Sequence, residues 1–483
     1  MPTKKSIISS LIWKFMERMG IQGTQFVVSI ILARLLAPDD FGLIALVVAV
    51  IAIANVFVQS GLGTALIQKK DADDTDFSSV FYASLFLSTI IYALIFFTSP
   101  LIAGFYNKPE LVPIIRVLTL SLFIGVFNSI QYAYIARQML FKKLFFRSIG
   151  AMIPSSIIGI VMAFSGFGVW ALVAQQLSNS LLAVIIMLFV VPWRPKFLFS
   201  FERLGKLFSF GWKLLVSSII DTVYSQLQSI IIGKMFSTAD LAFYDRGSHF
   251  PYIVVNNINN SIQAVMLPSL SAYQDDRPQV KKMMRRAIVT SSFLIIPMMA
   301  GLAAMADSVV LVLLGEKWLP CVPFVQIFCF IYAFYPIHTS NLSAINAMGR
   351  SDIFLKLEII KKTYGLAVLI GCILYFRTPI GIAYGGAICT VLASFVNAFP
   401  NKRLLNYSYP EQIKDIIPSA LLALVMAIIV IAINYLHINI YLTIILQIAI
   451  GSVTYLGLAK ILHFESLDYL IKTVAEFKRK HGK

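Results

Sequence analysis

The sequence predicts an all-α integral membrane protein of about fourteen transmembrane helices, and three observations predict it. First, apolar stretches of roughly twenty residues follow one another with little between them, and that is the length a helix needs to cross hydrocarbon. Second, the 483 residues are 58% hydrophobic and 13% charged, with a mean hydropathy of +0.82. A soluble chain carries about twice that charge. Third, the basic residues alternate with the spans. With the N-terminus placed inside, all but seven of the 40 Lys and Arg residues fall in cytoplasmic segments. The exceptions are Arg34, Lys108, Arg116, Lys234, Arg246, Lys317 and Arg377. This is the positive-inside pattern, and it puts both termini in the cytoplasm.

The spans read 13–34, 42–61, 78–99, 112–135, 145–165, 168–191, 209–233, 248–270, 287–314, 320–347, 358–376, 380–399, 416–436 and 438–462. Irregular backbone cannot face lipid at membrane depth, so these are helices. Lys4 and Lys5 precede an apolar run with no small-residue cleavage site, which reads as an uncleaved first span. The five tryptophans lie near span ends, the depth amphipathic rings prefer. Cys321, Cys329, Cys372 and Cys389 lack metal-ligand spacing and read as small core residues. No metal and no cofactor is expected.

The net charge of +17 first suggests nucleic acid. Its distribution argues against that partner and for an anionic leaflet facing Lys142, Lys143, Arg147, Lys281, Lys282, Arg285 and Arg286. Residues 197–208 and 464–477 have helical apolar spacing with basic residues between, the pattern of helices lying in the interface.

The chain repeats. Ser29-Ile30-Ile31-Leu32-Ala33-Arg34 recurs 200 residues later as Ser229-Ile230-Ile231-Ile232-Gly233-Lys234, and Asp40 falls on Asp240. Leu111-Val112-Pro113 before span four echoes Cys321-Val322-Pro323 before span ten. Two six-span units of like orientation are therefore expected, with a site at their interface. The expected organisation is an N-lobe of spans one to six at 1–193, an amphipathic cytoplasmic linker at 194–208 and a C-lobe of spans seven to twelve at 209–400. Spans thirteen and fourteen follow at 401–463, and a basic cytoplasmic tail at 464–483.

Polar groups inside spans are costly and face a cavity or a partner. Span one carries Glu17, Arg18, Gln22 and Gln25. Span seven holds Asp221, a candidate for ion coupling. Span eight crowds Asn256, Asn257, Asn259, Asn260 and Gln263 into eight residues. Five amides cover more than one helix face, and a wet lumen satisfies them where hydrocarbon cannot. The plainer account, interhelical hydrogen bonding, covers part of this set. No G-x-x-x-x-G-K-[ST] loop and no H-E-x-x-H occurs.

The stretch from Leu32 to Gly42, with Gly61–Gln68 and Gly166–Val173, resembles the polysaccharide-transporter family. These are Wzx-type flippases of O-antigen, colanic acid and teichuronic acid, within the MATE-like flippase superfamily. The resemblance implies two MATE-like six-helix repeats plus two C-terminal helices. It implies export of an undecaprenyl-pyrophosphate-linked oligosaccharide across the bacterial inner membrane. The expected driving force is the membrane potential or an ion gradient, with a proton or sodium ion as the candidate coupling ion at Asp221. Contact with a polymerase and glycosyltransferases goes with that role. Tyr244-Asp245-Arg246 and Leu267–Ser271 resemble the lipid II flippase pattern, which implies a substrate-binding role for Arg246. Two other arginines of that pattern fall on Gln22 and Val28 here.

The expected substrate contacts are Arg18, Arg34 and Arg246 for pyrophosphate, and Gln22, Gln25, Asn256, Asn260 and Gln263 for sugars. Guanidinium suits pyrophosphate because its planar fork donates two parallel hydrogen bonds. The protein is expected to be a transporter and no enzyme. The alternatives are a MATE-like multidrug antiporter and a membrane-embedded polysaccharide polymerase.

Overall fold

The computed structural model describes residues 4–59, 62–69, 71–138, 140–436 and 438–472. The expected basic tail beyond 472 lies outside them. The chain divides into two compact units, 1–242 and 243–483, and each is taken by itself.

The first unit contains α1 (Lys4–Leu35), α2 (Pro38–Gln59), α3 (Leu62–Gln68), α4 (Asp74–Tyr106), α5 (Leu111–Leu118), α6 (Ser121–Gln138), α7 (Phe141–Phe164), α8 (Val169–Val190), α9 (Phe201–Met235) and the start of α10 (Thr238–Ser271). The second unit takes the rest of α10, then α11 (Arg277–Ala304), α12 (Ala306–Leu313), α13 (Val322–Ala333), α14 (Tyr335–Ala347), α15 (Ser351–Phe376), α16 (Pro379–Leu405), α17 (Tyr409–Ala432) and α18 (Ile440–Ile461). A last helix, α19, covers 465–472.

Twelve segments of the described residues are long and apolar enough to cross a membrane. The two other long helices are α1 and α10, of 32 and 34 residues. Their polar side chains keep them below the apolarity of the rest. With them, the long helices correspond one to one with the fourteen expected spans.

The 200-residue repeat is also a structural one. Helix α1 ends at Leu35 and α9 at Met235; α2 starts at Pro38 and α10 at Thr238. At the first joint the Ala37 N–H donates to the Asp40 carboxylate at 3.1 Å. At the second the Ser237 N–H donates to Asp240 at the same 3.1 Å. Each acid satisfies a backbone donor that a helix start leaves open. The second echo also has a counterpart: span four is broken between α5 and α6, and span ten between α13 and α14.

The two joints of the first unit touch. The Thr238 hydroxyl donates to the Asp39 carboxylate, and a Cβ on Gly42 would lie 1.9 Å from the Thr238 carbonyl oxygen. Glycine is required there by close backbone approach, not by its own dihedrals.

Residues 201–208, expected within an amphipathic linker, form the first turns of α9 instead. Ser200 caps that helix by accepting from the Arg203 N–H. Residues 194–200 run as irregular chain pinned to the start of α4. The Lys196 N–H donates to Ser78 at 3.1 Å and the Ser200 N–H to Ser79 at 2.9 Å. Lys196 pairs with Asp74, and Arg203 with Asp73. Asp73 and Asp76 complete a reciprocal capping box at the start of α4.

Asp73 lies just outside the span. The hydrogen bond from Arg203, followed by that from the Asp76 N–H, holds its carboxyl at about 2, below the ordinary 3.8. A depressed carboxyl stabilises the fold above its unfolded value, and that contribution is lost as pH falls through the folded one. The melting-temperature gap between wild type and Asp73→Asn in detergent is therefore expected to be constant above pH 3.8 and to close as pH falls toward about 2. A gap that closes near neutrality instead would show that Asp73 does not hold the clasp.

In the second unit the core runs through Met266 and Leu270 of α10, Met284 and Ile288 of α11, and Ile337 and Ala344 of α14. A second cluster joins Phe293 to Met426 and Tyr455, with Leu467 and Leu470 of α19 against it. The Tyr455 hydroxyl donates to the Phe293 carbonyl at 2.9 Å. Helices α17 and α18, which stand outside the repeat, are thus part of this unit's core. Of the interfacial face expected for 464–477, residues 473–477 lie outside the described residues; in the rest, Leu467 and Leu470 dock inward while Ile471 is exposed.

Candidate functional site

Helix α1 packs on α7 through its polar residues as well as its apolar ones. The Ser148 hydroxyl donates to Glu17 at 2.8 Å, and Arg147 donates to Asn128 of α6 at 3.0 Å. Trp13 sits against Phe145 and Phe146, with the Lys142 ammonium over its ring. Glu17 is therefore held by a neighbouring helix.

Arg18 and Gln22 are half-buried, and Gln25 is exposed. The Gln22 Oε1 atom is buried and has no hydrogen-bond donor among the described residues. An amide oxygen held away from water in this way is costly until a donor reaches it. Arg34 is exposed near the end of α1, and Asp221 is exposed on α9. The structure thus spreads the first-unit candidates along two helices.

The first unit also holds a cavity of 570 Å³ that the sequence alone did not reveal. Gln59, Ser129, Tyr132, Ser218 and Thr222 supply its polar lining, with Ile67 and Leu215 beside them. These groups come from α2, α6 and α9, so residues more than 150 positions apart meet there. Gln59 is an amide within span two; the hydroxyls give no such signal, because serine and threonine are common in membrane helices and bond back to their own turn. The lining donates and accepts without charge, which suits hydroxyl-rich ligands. Just beyond it, Arg137 of α6 donates to the Leu66 carbonyl at 2.7 Å and closes the end of α3.

On α10 the structure sorts the five amides. Asn260 donates to Asn256 at 2.8 Å, one turn away. Gln263 continues the same stripe and is exposed, while Asn256 and Asn260 are half-buried. Asn259 faces elsewhere: it is buried and accepts from the Thr339 hydroxyl of α14 at 2.5 Å. Asn257 turns back to its own helix, donating to the Ile253 carbonyl at 3.0 Å. Two of the five are accounted for by packing. The three candidates Asn256, Asn260 and Gln263 share one accessible face.

Arg246 lies at the other end of α10. It is half-buried, with its guanidinium 6.0 Å from the ring centre of the fully buried Trp318. Tyr244 stacks edge-on against Phe324 and Phe328. Gly247 lets α10 approach α13 closely, since a Cβ there would fall 2.3 Å from that of Phe324. An aromatic wall therefore fixes the position of the arginine.

Sequence reading also missed a buried amide network in the second unit. Asn341 of α14 donates to Gln412 of α17 at 2.7 Å and accepts from Asn401 of α16 at 2.7 Å. Gln412 returns a bond to Asn341 at 3.1 Å. His338, one turn earlier, meets Asn397 at 3.1 Å. Asn341 and His338 are polar groups of span ten; their partners lie about 60 to 70 positions away and are identified by proximity alone. Among the described residues no cluster of His, Cys, Asp or Glu could hold a metal ion.

Comparison with known proteins places this arrangement. The chain is 26% identical over 317 residues to the succinoglycan biosynthesis transport protein ExoT of Rhizobium meliloti (strain 1021), a match covering 65% of this chain and 64% of that one. It is 23% identical over 422 residues to the lipopolysaccharide biosynthesis protein WzxC of Escherichia coli (strain K12), covering 86% and 84%. Among solved structures, the lipid II flippase MurJ in an inward closed conformation superposes with a TM-score of 0.73 at 18% identity, covering 94% of this chain and 99% of that one. That likeness establishes the fold. The family described as "Polysaccharide biosynthesis protein" matches residues 31–323, more than half of the sequence, and the chain belongs to that family.

Proposed function

We propose that this protein moves an undecaprenyl-pyrophosphate-linked oligosaccharide from the inner to the outer leaflet of the bacterial inner membrane by alternating access. The single observation that carries this reading is the polar stripe of α10. A helix that crosses a membrane with Asn256, Asn260 and Gln263 on one accessible face needs a wet, polar neighbour there. A lipid-linked glycan supplies the reason for one. Its tail stays in lipid, while its head cannot enter bare hydrocarbon.

In this reading Arg246, Arg34 and Arg18 meet the pyrophosphate, and the α10 amides with Gln22 and Gln25 meet sugar hydroxyls. The uncharged cavity lining of Gln59, Ser129, Tyr132, Ser218 and Thr222 adds a second surface suited to sugars. The roles of ExoT in succinoglycan transport and of WzxC in lipopolysaccharide biosynthesis support a glycan as cargo. A drug cation would favour acidic groups, and the candidate set offers arginines and amides with Asp221 as its one acid.

Membrane potential is a sufficient driving force in principle. Moving one charge through it is worth about 2.3 kcal/mol per 100 mV. A head with two negative charges gains roughly twice that on moving outward from a negative interior. An ion returning through Asp221 would add to this. With both termini cytoplasmic, the basic loops face the anionic inner leaflet.

The test is a strain lacking the protein. Single lipid-linked repeat units should accumulate on the inner face and disappear from the outer one. Arg246→Ala should fail to restore export, by about tenfold or more if one charge-assisted contact to the head is lost, while eluting as a normally folded protein. Lipid-linked units that reach the outer face without the protein would overturn the reading.

A further inference from the structure

We infer that the second unit holds a discrete site for a phosphate-bearing lipid headgroup, in the cavity between α11, α17 and α19. The cavity measures 710 Å³. That lies within the range of about 300–1,000 Å³ typical of small-ligand pockets.

Five cations line it: Lys281, Lys282, Arg285 and Arg286 from α11, and Lys414 from α17. Three carboxylates face them, Glu411, Asp415 and Glu465. These groups are not equivalent. Arg285 is bound bidentately to Asp415, at 2.8 and 2.7 Å. Asp415 is itself fixed by the hydroxyl of the buried Tyr407, which donates to it at 2.6 Å. Lys281 approaches Glu411 at 3.9 Å and lies over the Tyr407 ring. These pairs form a rigid, nearly neutral floor.

What remains is Lys282, Arg286 and Lys414 against one acid, Glu465. All three cations are exposed to solvent. Arg286 is held in place by the Tyr469 ring, 4.3 Å beneath its guanidinium. A pre-oriented planar cation and two flexible ammonium groups around one volume suit the tetrahedral oxygens of a phosphate.

The placement selects a lipid as the bearer of that phosphate. Helices α11 and α17 are long and apolar enough to span a membrane, and these cations lie in their second and third turns, near the start of each helix. Val289 and Pro418, about one turn further into each helix, continue the lining as apolar surface. A ligand here has its charge at headgroup depth and hydrocarbon immediately below. Helix α19 closes the side of the cavity because Leu467 and Leu470 are docked in the core. The site does not depend on what the protein transports.

The experiment is native mass spectrometry of the full-length protein titrated with dioleoylphosphatidylglycerol, with dioleoylphosphatidylcholine as the zwitterionic control. A prenyl pyrophosphate forms a third arm, and an excess of inorganic phosphate is the soluble competitor. Each cation near an anionic surface contributes about fivefold in binding. Lys282→Gln/Arg286→Gln/Lys414→Gln should therefore weaken phosphatidylglycerol binding by roughly a hundredfold. Lys414→Gln alone, at an exposed position, should weaken it about fivefold and guards against a folding artefact in the triple variant.

Selective loss of phosphatidylglycerol supports a resident phospholipid, and selective loss of the prenyl pyrophosphate supports a prenyl carrier in the same headgroup site. Equal binding of phosphatidylcholine, unchanged binding in the triple variant, or full displacement by inorganic phosphate would overturn the inference. Failed glycan export with lipid binding intact would bear on the transport reading only.

Discussion

Replacing Gly42 with valine is expected to prevent the first unit from assembling. The Cβ alone would sit 1.9 Å from the Thr238 carbonyl oxygen and 2.5 Å from its carbon. Both atoms are backbone, so no side-chain rotation relieves the clash. Ordinary overpacking costs about 1–3 kcal/mol when side chains can give way; here the starts of α2 and α10 must part, and the Thr238–Asp39 bond goes with them. Even Gly42→Ala is expected to lower the melting temperature sharply in detergent. The control is Gly104→Ala, in the last turn of α4 with nothing within 4 Å of the added carbon. It should be neutral or stabilising by up to about 1 kcal/mol from helix propensity. Size-exclusion profiles and melting curves of the three variants decide the matter. A Gly42→Val protein with the wild-type profile would mean that the two helix starts do not touch in the membrane.

The second large effect is expected at Asn341. It is fully buried and bonded to Gln412 and Asn401. Asn341→Leu keeps the branched side-chain shape but removes the shorter hydrogen bond of each partner amide in a dry core. Interhelical hydrogen bonds in membranes average only about 0.6 kcal/mol, because the loosened state finds other partners. That figure describes exchange of one partner for another. A buried polar group left with none costs roughly 1–3 kcal/mol. Here Gln412 Oε1 loses its donor, while the Gln412 and Asn401 amide nitrogens keep only long 3.4 Å bonds to the Tyr407 and Asn341 backbone carbonyls. The variant should therefore be strongly destabilised, with α17 detaching first, since Gln412 is its link to this network. Replacing all three by apolar residues should recover most of the loss, because no amide is then stranded. A single variant as stable as wild type, or a triple variant worse than the single, would contradict this account.

Both predictions concern positions where local sequence carries little warning. Gly42 reads as one more glycine in an apolar helix. Its role depends on Thr238, almost 200 positions later. Asn341 reads as a polar group in a span, and its partners are chosen by helix packing. The α10 amides show the boundary between the two kinds of information. Their number announced a polar surface, and their spacing placed Asn256, Asn260 and Gln263 on one stripe. That Asn259 instead serves Thr339, and Asn257 its own backbone, emerged only with the fold.

The sequence by itself determined the class of this protein: long apolar runs force helices because hydrocarbon offers no partner to an open backbone. It also determined the repeat, since Asp40 and Asp240 cap equivalent helix starts by the same local bond. Tertiary structure decided which polar groups face one another, joined α17 and α18 to the second unit's core, and gathered hydroxyls and cations into two cavities. Span formation is a property of each segment against lipid, whereas cavities and networks exist only between segments, so their members carry no mark that a single stretch of sequence can display.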